Sequence, residues 1–525
     1  MDRELFTFFT DPKSYGLSED RAVTHIQTHV SDVFLAGESV YKVKRPVNFG
    51  FLDFSTLDKR YTCCVREIEI NKRLAGGVYE DVVAVCRSTE GGLYFNQGQG
   101  EAVEYAVKMK RLDDSLNLKN RLLNRTFSEN HLKELVFELF EFYKLSMLPS
   151  KLQQFGLPHI IKRNTDENFE QTLSYVGKTI KPREFSQIES YTNDFLLNRI
   201  ALINGRVQSG FIRDCHGDLH CEHIYFPKNS NKPIIIDGIE FNDRFRYQDV
   251  ASDVAFLVMD LEFQGYPDLA REFLKQYILV SKDEDLTELC RFYTVYRAYV
   301  RGKVEGFVWS EIDDEEKKAL IYNRVRRYFR LAFRKALGLN EPFLLVFFGP
   351  MGSGKTTLAK AMSDLLDVQL FSTDEVRKEL AGIGKSRHYV PYGEDIYSPA
   401  FNEKTYRTLI SKGLALLKEG HCAILDGCFA RGYERNLVMD SLKKLKLKPF
   451  AIFVSCEAPL NELKNRLDKR QDSGEQASNG RLDILGKQME IFEPVALGFL
   501  GSLLRIWTHK PLGKQIENVI KVLSV

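Results

Sequence analysis

The chain has 525 residues, 44% of them hydrophobic and 28% charged, which suits two or three globular domains with separate cores. A formal net charge of +2 excludes a strong field that would by itself draw the chain onto nucleic acid or an anionic membrane. No apolar run approaches the roughly 20 residues of a bilayer span, the opening Met1-Asp2-Arg3-Glu4-Leu5 lacks a secretory layout, and the nine scattered cysteines read as reduced thiols of a cytoplasmic protein.

Residues 32–112 are strand-rich. Ser31 to Lys44 reads as a hairpin turning near Gly37, and Val83–Arg87, Leu93–Asn96 and Val103–Arg111 read as further strands. One helix is expected near 61–75. From about 129 to 337 the pattern is helical, interrupted by loops and a hairpin at 212–243. A small sheet lobe followed by a helical lobe is a two-lobed α+β arrangement with a cleft between the lobes. A basic helix, about Glu315 to Ala336, closes this half. Its Arg324, Arg326, Arg327, Arg330 and Arg334 read as a solvated face or an interdomain contact. Gly338 is its expected cap and Pro342 its stop, so the domains are expected at 1–338 and 339–525.

Strands at 343–348, 368–372, 421–426, 450–455 and 503–508 then alternate with helices at about 356–366, 374–381, 431–445, 459–470 and 513–523. That is the pattern of an α/β domain with a parallel sheet covered on both faces. Ligands of such sheets sit at the carboxyl ends of the strands.

In the first half, chemistry concentrates in Cys215-His216-Gly217-Asp218-Leu219-His220-Cys221-Glu222-His223 and in Ile234-Ile235-Ile236-Asp237. An aspartate in a loop can orient a hydroxyl and accept its proton, and a second at a strand end can hold Mg²⁺ against phosphates. Zinc is disfavoured, because these cysteines and histidines match neither a CxxC knuckle nor an HExxH helix.

The string His216 to His220, with Ile234 to Gly238, Glu240 to Arg244 and Gln248 to Phe256, resembles the aminoglycoside phosphotransferase and choline kinase family, relatives of the protein kinases. The resemblance covers about residues 20–305 and implies a protein-kinase-like fold. It implies Asp218 as catalytic base and Asp237 as metal ligand. It also implies a lysine on the hairpin, Lys42 or Lys44, that contacts the α/β-phosphates and pairs with Glu67 or Glu69, with Lys42 and Glu67 favoured. The family carries a metal-binding asparagine five residues after the catalytic aspartate. Here that metal position is His223. Imidazole suits Mg²⁺ poorly, so either Glu240 or Asn242 supplies another ligand or the lobe binds nucleotide without turnover.

In the second half, Gly349-Pro350-Met351-Gly352-Ser353-Gly354-Lys355-Thr356 is a complete phosphate-binding loop between an apolar strand and a helix. Gly349, Gly352, Ser353, Gly354, Lys355, Thr356 and Thr357 form the expected nucleotide cradle. Lys355 serves the β/γ-phosphates, and Thr356 with Asp426, ending Ala423-Ile424-Leu425, serves Mg²⁺. Asp374, one strand over, can activate an acceptor hydroxyl, and also suits the N-cap of its helix. Arg377 can hold an anionic acceptor. Arg466 and Arg470 precede a polar segment, Gln471 to Gly480, that reads as a lid whose arginines stabilise transition-state charge. About 343–525 resembles small P-loop kinases of the gluconate kinase, polynucleotide kinase and zeta-toxin type, on Thr373 to Arg377 and on Arg466 to Arg470.

The chain as a whole is thus similar to a bacterial fusion of an aminoglycoside-phosphotransferase-like domain with a P-loop kinase-like domain. The expected function is ATP- and Mg²⁺-dependent phosphoryl transfer to a hydroxyl acceptor, a small molecule by preference. Two alternatives stand beside it. One is a 5′-hydroxyl kinase for polynucleotides, against which the near-neutral charge argues. The other is a nucleotide-gated regulatory module with a degenerate first lobe.

Overall fold

The computed structural model describes the chain except residues 51, 97–100, 340–341, 383–394, 419–420, 445–449, 474–481, 496–501 and 524–525, and except the side chains of 395, 450, 470–473 and 482–484. It divides into two compact units, Met1–Phe333 and Arg334–Val525.

The first unit has two lobes. Its upper lobe is a six-stranded antiparallel sheet of β1 (Thr24–Gln27), β2 (Ser31–Ala36), β3 (Ser39–Lys44), β4 (Tyr79–Arg87), β5 (Leu93–Asn96) and β6 (Glu101–Lys110), in the order β1-β2-β3-β6-β4-β5. Gly37, at φ +62°, supplies the left-handed turn between β2 and β3. The helix Leu57–Asn71 starts four residues earlier than expected because Thr56 caps it, its hydroxyl accepting from the Lys59 N–H. It packs on the sheet through Cys64 and Ile68 against Val40, Val107 and Met109. The helix Arg3–Thr10, which the sequence pattern does not announce, covers the other face with Leu5 and Phe9 on Phe34, Val43 and Val85.

The lower lobe is helical. At its centre lies Val250–Phe263, buried on nearly every side, against Leu286–Glu311 and Pro267–Ser281. Two small antiparallel ribbons cross this lobe: β7 (Ile212–Asp214) with β10 (Tyr247–Asp249), and β8 (Ile224–Tyr225) with β9 (Ile234–Ile235). They carry the loops that hold Asp218 and Asp237.

The basic helix spans Glu315–Ala336. Its arginines divide: Arg324 and Arg327 are exposed, whereas Arg326 turns inward. Arg326 is buried and makes a two-pronged pair with Glu184, at 2.7 and 2.8 Å, while also donating to the Thr179 carbonyl at 2.9 Å. Arg324 pairs with Glu305, and Arg327 donates to the Phe263 carbonyl at 2.6 Å. Close approach is possible because Gly302 faces Phe329, where a β-carbon would meet the ring at 2.9 Å. Periodicity locates such a helix but not the buried carboxylates that draw its cations inward. Arg326→Ala would take from buried Glu184 its ion-pair partner and leave it the Lys181 N–H, and we expect a loss of about 3–5 kcal/mol of stability by urea denaturation. Arg326→Met with Glu184→Leu should recover most of it.

The second unit is a parallel five-stranded sheet of β11 (Phe343–Phe348), β12 (Gln369–Ser372), β13 (Ala423–Asp426), β14 (Phe450–Glu457) and β15 (Ser502–Trp507), ordered β12-β13-β11-β14-β15. All six residues of β11 are buried, as a central strand covered on both faces requires. Two helices that the sequence pattern did not reveal, Pro399–Lys418 and Leu482–Ile491, complete the layers among the described residues.

Candidate active sites

In the first unit, the loop carrying Asp218 is held by carboxylates of the buried helix Val250–Phe263. Asp253, fully buried, accepts from the backbone N–H of His216 at 2.8 Å and of Gly217 at 2.9 Å, from the Tyr143 hydroxyl at 3.0 Å and from the Gln248 amide at 3.3 Å. Asp260, two turns on, accepts from the Cys221 N–H at 2.8 Å. Buried Arg297 donates to the Gly217 carbonyl at 3.1 Å. The Asp218 side chain stays 29% exposed on this fixed backbone. Burial pushes its carboxyl up, but His220, His223 and Arg301 outweigh that and hold it far below the usual carboxylate range.

Asp237 follows β9 at φ +64°, a left-handed position that aspartate tolerates better than most residues. Upper-lobe groups fix this turn. The Asp237 N–H donates to the Tyr79 hydroxyl at 3.1 Å, and the Gly238 N–H donates to Asn71 Oδ1 at 2.7 Å. His216 Nε2, 2.9 Å from the Ile236 carbonyl, ties the Asp218 loop to the Asp237 turn.

Lys42 and Lys44, two residues apart on β3, point to one side. Lys42 Nζ donates to Glu67 Oε1 at 2.8 Å and to Asp237 Oδ1 at 2.5 Å. Lys44 Nζ donates to the other Glu67 oxygen and to Glu240. The alternatives left open by the sequence thus resolve into one network. Both lysines share Glu67, and of the two Lys42 is the one that reaches Asp237. Glu69 is exposed and has no part in it. Burial disfavours the Lys42 ammonium, but Asp237 and Glu67 raise its pKa well above the ordinary value.

His223 faces both aspartates. Its Nδ1 lies 3.0 Å from the Asp218 backbone carbonyl and its Nε2 3.5 Å from Asp237 Oδ2. The two replacements considered for a ligand at this position are otherwise occupied. Glu240 is buried against Lys44, and Asn242 caps the short helix Asp243–Arg246, accepting from the Arg244 N–H at 3.0 Å. The donor set is therefore two carboxylates and an imidazole, and this set does not suit Mg²⁺.

In the second unit, the phosphate loop joins β11 to the helix Lys355–Leu366. Gly349 has φ +147°, and a β-carbon there would lie 2.5 Å from the Cys456 carbonyl oxygen. Gly349→Ala should therefore lose at least about 3 kcal/mol of stability in this unit, checked by urea denaturation, together with nucleotide affinity. The loop is braced from behind. Thr508 Oγ1 donates to the Ser353 carbonyl at 2.6 Å, and Gln488 Oε1 accepts from the Met351 N–H at 2.8 Å. Sequence reasoning missed both residues, since each comes from a distant segment.

Thr356 Oγ1 donates to Asp426 Oδ2 at 2.7 Å. Asp426 Oδ1 is buried with no partner among the described residues, and burial raises its carboxyl pKa. An unpartnered carboxylate oxygen beside a loop threonine fits a hard cation such as Mg²⁺. Lys355 Nζ meets the Pro350 carbonyl of its own loop, at 3.4 Å. Ser353 Oγ is likewise buried and unpartnered among the described residues, while Thr357 is exposed on the first turn.

Asp374 is not the cap of its helix. Ser372 caps Thr373–Leu380 by accepting from the Glu375 N–H at 3.2 Å, which leaves the Asp374 carboxylate 45% exposed, 3.4 Å from Arg377. Arg377 is buried, held by Asn402 at 2.8 Å and lying over the Tyr397 ring. Arg466 differs from the expected lid arginine. It donates to the Gly352 carbonyl at 3.3 Å and to the Thr508 carbonyl at 3.0 Å, and pairs with Glu462 at 2.8 Å, so it supports the loop. Arg435 is also structural, buried and donating to the carbonyls of Phe429 and Glu493. The Arg470 side chain and most of the expected lid lie outside the described residues.

Over 462 aligned residues the chain is 30% identical to the uncharacterized protein Rv2004c of Mycobacterium tuberculosis, covering 86% of this chain and 87% of that one. The chain belongs to the same family as that mycobacterial protein. The model of the AAA domain family matches residues 344–495, the span of the phosphate loop, Asp374 and Asp426. A shikimate kinase of Clostridium botulinum is 30% identical over 128 residues, 24% of this chain and 66% of its own. The solved structure of an ADP-bound aminoglycoside phosphotransferase aligns with 64% of this chain and 99% of its own at 15% identity, with a TM-score of 0.34. The chain joins a two-lobed α+β unit to an α/β unit whose parallel sheet and phosphate loop lie in the matched AAA-domain span. Among the described residues no helix is long and apolar enough to cross a membrane.

Proposed function

We propose that this protein is an ATP-dependent phosphotransferase that uses the P-loop unit to phosphorylate a hydroxyl of a small molecule, and that its first unit is a second phosphoryl-handling site. The observation that carries the reading is the set Lys355, Thr356, Asp426 and Asp374 at the carboxyl ends of β11, β12 and β13. Backbone N–H groups of the loop and the Lys355 ammonium bind the phosphates. Thr356 and Asp426 would hold Mg²⁺, which would supply neutralising charge for the transferring group. Asp374, free of any capping duty, orients the acceptor hydroxyl and takes its proton, and Arg377 lies beside it for an anionic or polar acceptor. The shikimate kinase relative supports a small acceptor.

In the first unit we assign Asp218 to orienting a hydroxyl, and Lys42, fixed by Glu67, to the α/β-phosphates. A carboxyl held so far below its usual range is a weak base. Its contribution is position more than proton affinity.

The test is ADP release by the purified full chain with ATP, Mg²⁺ and pooled sugars, sugar acids, nucleosides and aminoglycosides. One pool should stimulate release at least about tenfold, and Lys355→Ala should abolish the stimulation. Equal release with every pool, unchanged by that substitution, would sink the proposal. ATP-dependent labelling of a 5′-hydroxyl oligonucleotide alone would favour the polynucleotide alternative.

A further inference from the structure

Resting on the phosphoryl-transfer reading of the first unit, we propose that its cleft seats a divalent first-row transition-metal ion between His223 Nε2 and Asp237 Oδ2, and discriminates against Mg²⁺ through that imidazole.

The His223 tautomer is set by its neighbour. The Asp218 backbone carbonyl can only accept, so His223 Nδ1, 3.0 Å away, is the N–H that donates to it. This fixes the ring and turns Nε2 toward Asp237 Oδ2 at 3.5 Å. That separation is too long for a charge-assisted hydrogen bond, which runs about 2.7–2.9 Å. With Nε2 unprotonated, its lone pair faces the Asp237 carboxylate at that distance. Two ligands of one cation, each bonded at about 2.1–2.2 Å, stand about 3.0–3.5 Å apart. The observed gap matches that spacing.

The surroundings point the same way. Asp237 Oδ1 is taken by Lys42, which leaves Oδ2 for the cleft. Two ammonium groups, Lys42 and Lys44, face three carboxylates, Glu67, Asp237 and Glu240, so the network carries an excess of negative charge before Asp218 is counted. Asp218, His220 and His223 bring one donor atom each to within 4.8 Å of one another, and His220 Nε2 is 3.5 Å from Asp218 Oδ2. Carboxylate with imidazole is a mixed oxygen–nitrogen set. Mg²⁺ demands oxygen and sheds water reluctantly, whereas nitrogen ligands favour first-row transition ions. The ring orientation is fixed as metal-binding histidines usually are, with the second nitrogen donating to a backbone carbonyl.

Mn²⁺ is the probe, because its electron spin resonance reports nitrogen coordination directly. The full chain carrying Asp426→Asn, without nucleotide, removes the carboxylate of the P-loop metal site. Bound Mn²⁺ should show ¹⁴N coupling from one imidazole, and Mg²⁺ should compete at least a hundredfold more weakly. His223→Asn should abolish the coupling and narrow the Mn²⁺ over Mg²⁺ preference at least tenfold. Mn²⁺ bound without nitrogen coupling in the unmodified cleft, or no Mn²⁺ bound at all, would overturn the proposal. That readout needs no variant at His223 to fold. The underlying reading fails separately, if Asp218→Asn changes no phosphoryl transfer whatever the metal result.

Discussion

Lys355→Ala should lower nucleotide turnover in the P-loop unit by about 10³-fold or more while leaving the fold intact. The two halves of this expectation come from the same contact. Lys355 Nζ has one hydrogen-bond partner among the described residues, the Pro350 carbonyl at 3.4 Å, so removing the ammonium breaks no strong hydrogen bond, and what buried Asp426 loses is a nearby positive charge rather than a bond. Asp426 is hydrogen-bonded by Thr356 rather than by Lys355. The loop's shape depends on Gly349, on Thr508 holding the Ser353 carbonyl and on Gln488 holding the Met351 N–H, and the substitution touches none of these. What disappears is a positive charge placed for phosphate in a site walled by backbone N–H groups. Single-turnover measurement with labelled ATP, in an Asp218→Asn background that silences the first unit, isolates the effect. Thermal unfolding of the same protein should shift by less than about 1 kcal/mol equivalent. A large stability loss, or turnover within tenfold of the parent, would contradict the assignment.

Motifs whose chemistry is local were legible in the sequence. The phosphate loop needs a strand, three glycines and a helix in succession, and all lie within 24 residues of Phe343. The parallel sheet was readable because its strands are short apolar runs separated by helical periods. What escaped was set by distant partners. The helix Pro399–Lys418 buries a stripe of Tyr406, Leu409, Ile410, Gly413 and Leu417, but Gly413 in mid-helix and the polar run Asn402 to Lys404 obscure that period. Ser372 rather than Asp374 caps its helix because the chain enters two residues earlier than the acidic pattern suggests. Arg326 read as part of a solvated face or interdomain contact, and Arg466 as a lid arginine. Only the fold shows that one meets Glu184 and the other meets loop carbonyls.

Asp253 and Asp260 had a signal that went unused. Both stand in Val250–Phe263, a segment otherwise nearly all apolar and buried. A carboxylate in such a helix is expensive unless several donors meet it. Two of them seven residues apart, on one helix face, therefore point to backbone N–H groups waiting across that face. Those groups belong to the loop that presents Asp218. His223 is likewise held by backbone. A ring fixed by a backbone carbonyl and aimed at a carboxylate is a positioned group, whereas a merely tolerated replacement of asparagine has no need of a fixed orientation.

Asp253→Asn is expected to cost about 2–4 kcal/mol of stability in the first unit and at least about 10²-fold in any Asp218-dependent transfer. The change is nearly isosteric, so no cavity explains it. Its effect follows from counting donors. Asp253 Oδ2 accepts from the His216 N–H and the Tyr143 hydroxyl, and Oδ1 from the Gly217 N–H and the Gln248 amide. An asparagine must turn its NH₂ toward one of these pairs. Toward the first, the Tyr143 hydroxyl can rotate to accept, but the His216 N–H cannot. Toward the second, the Gly217 N–H cannot adapt, and Gln248 cannot flip without losing its own bond from Arg297 at 2.6 Å. Either way a backbone N–H of the Asp218 loop is left buried against a donor, and the loop shifts to relieve it. Tyr143→Phe is the matched control. It removes one acceptor–donor pair from the same carboxylate without orphaning any backbone group, so its cost should stay near 1 kcal/mol and Asp218-dependent transfer should fall less than tenfold. Urea unfolding and transfer assays on the two variants decide the matter, and equal losses for both would show that the loop is held by something other than Asp253.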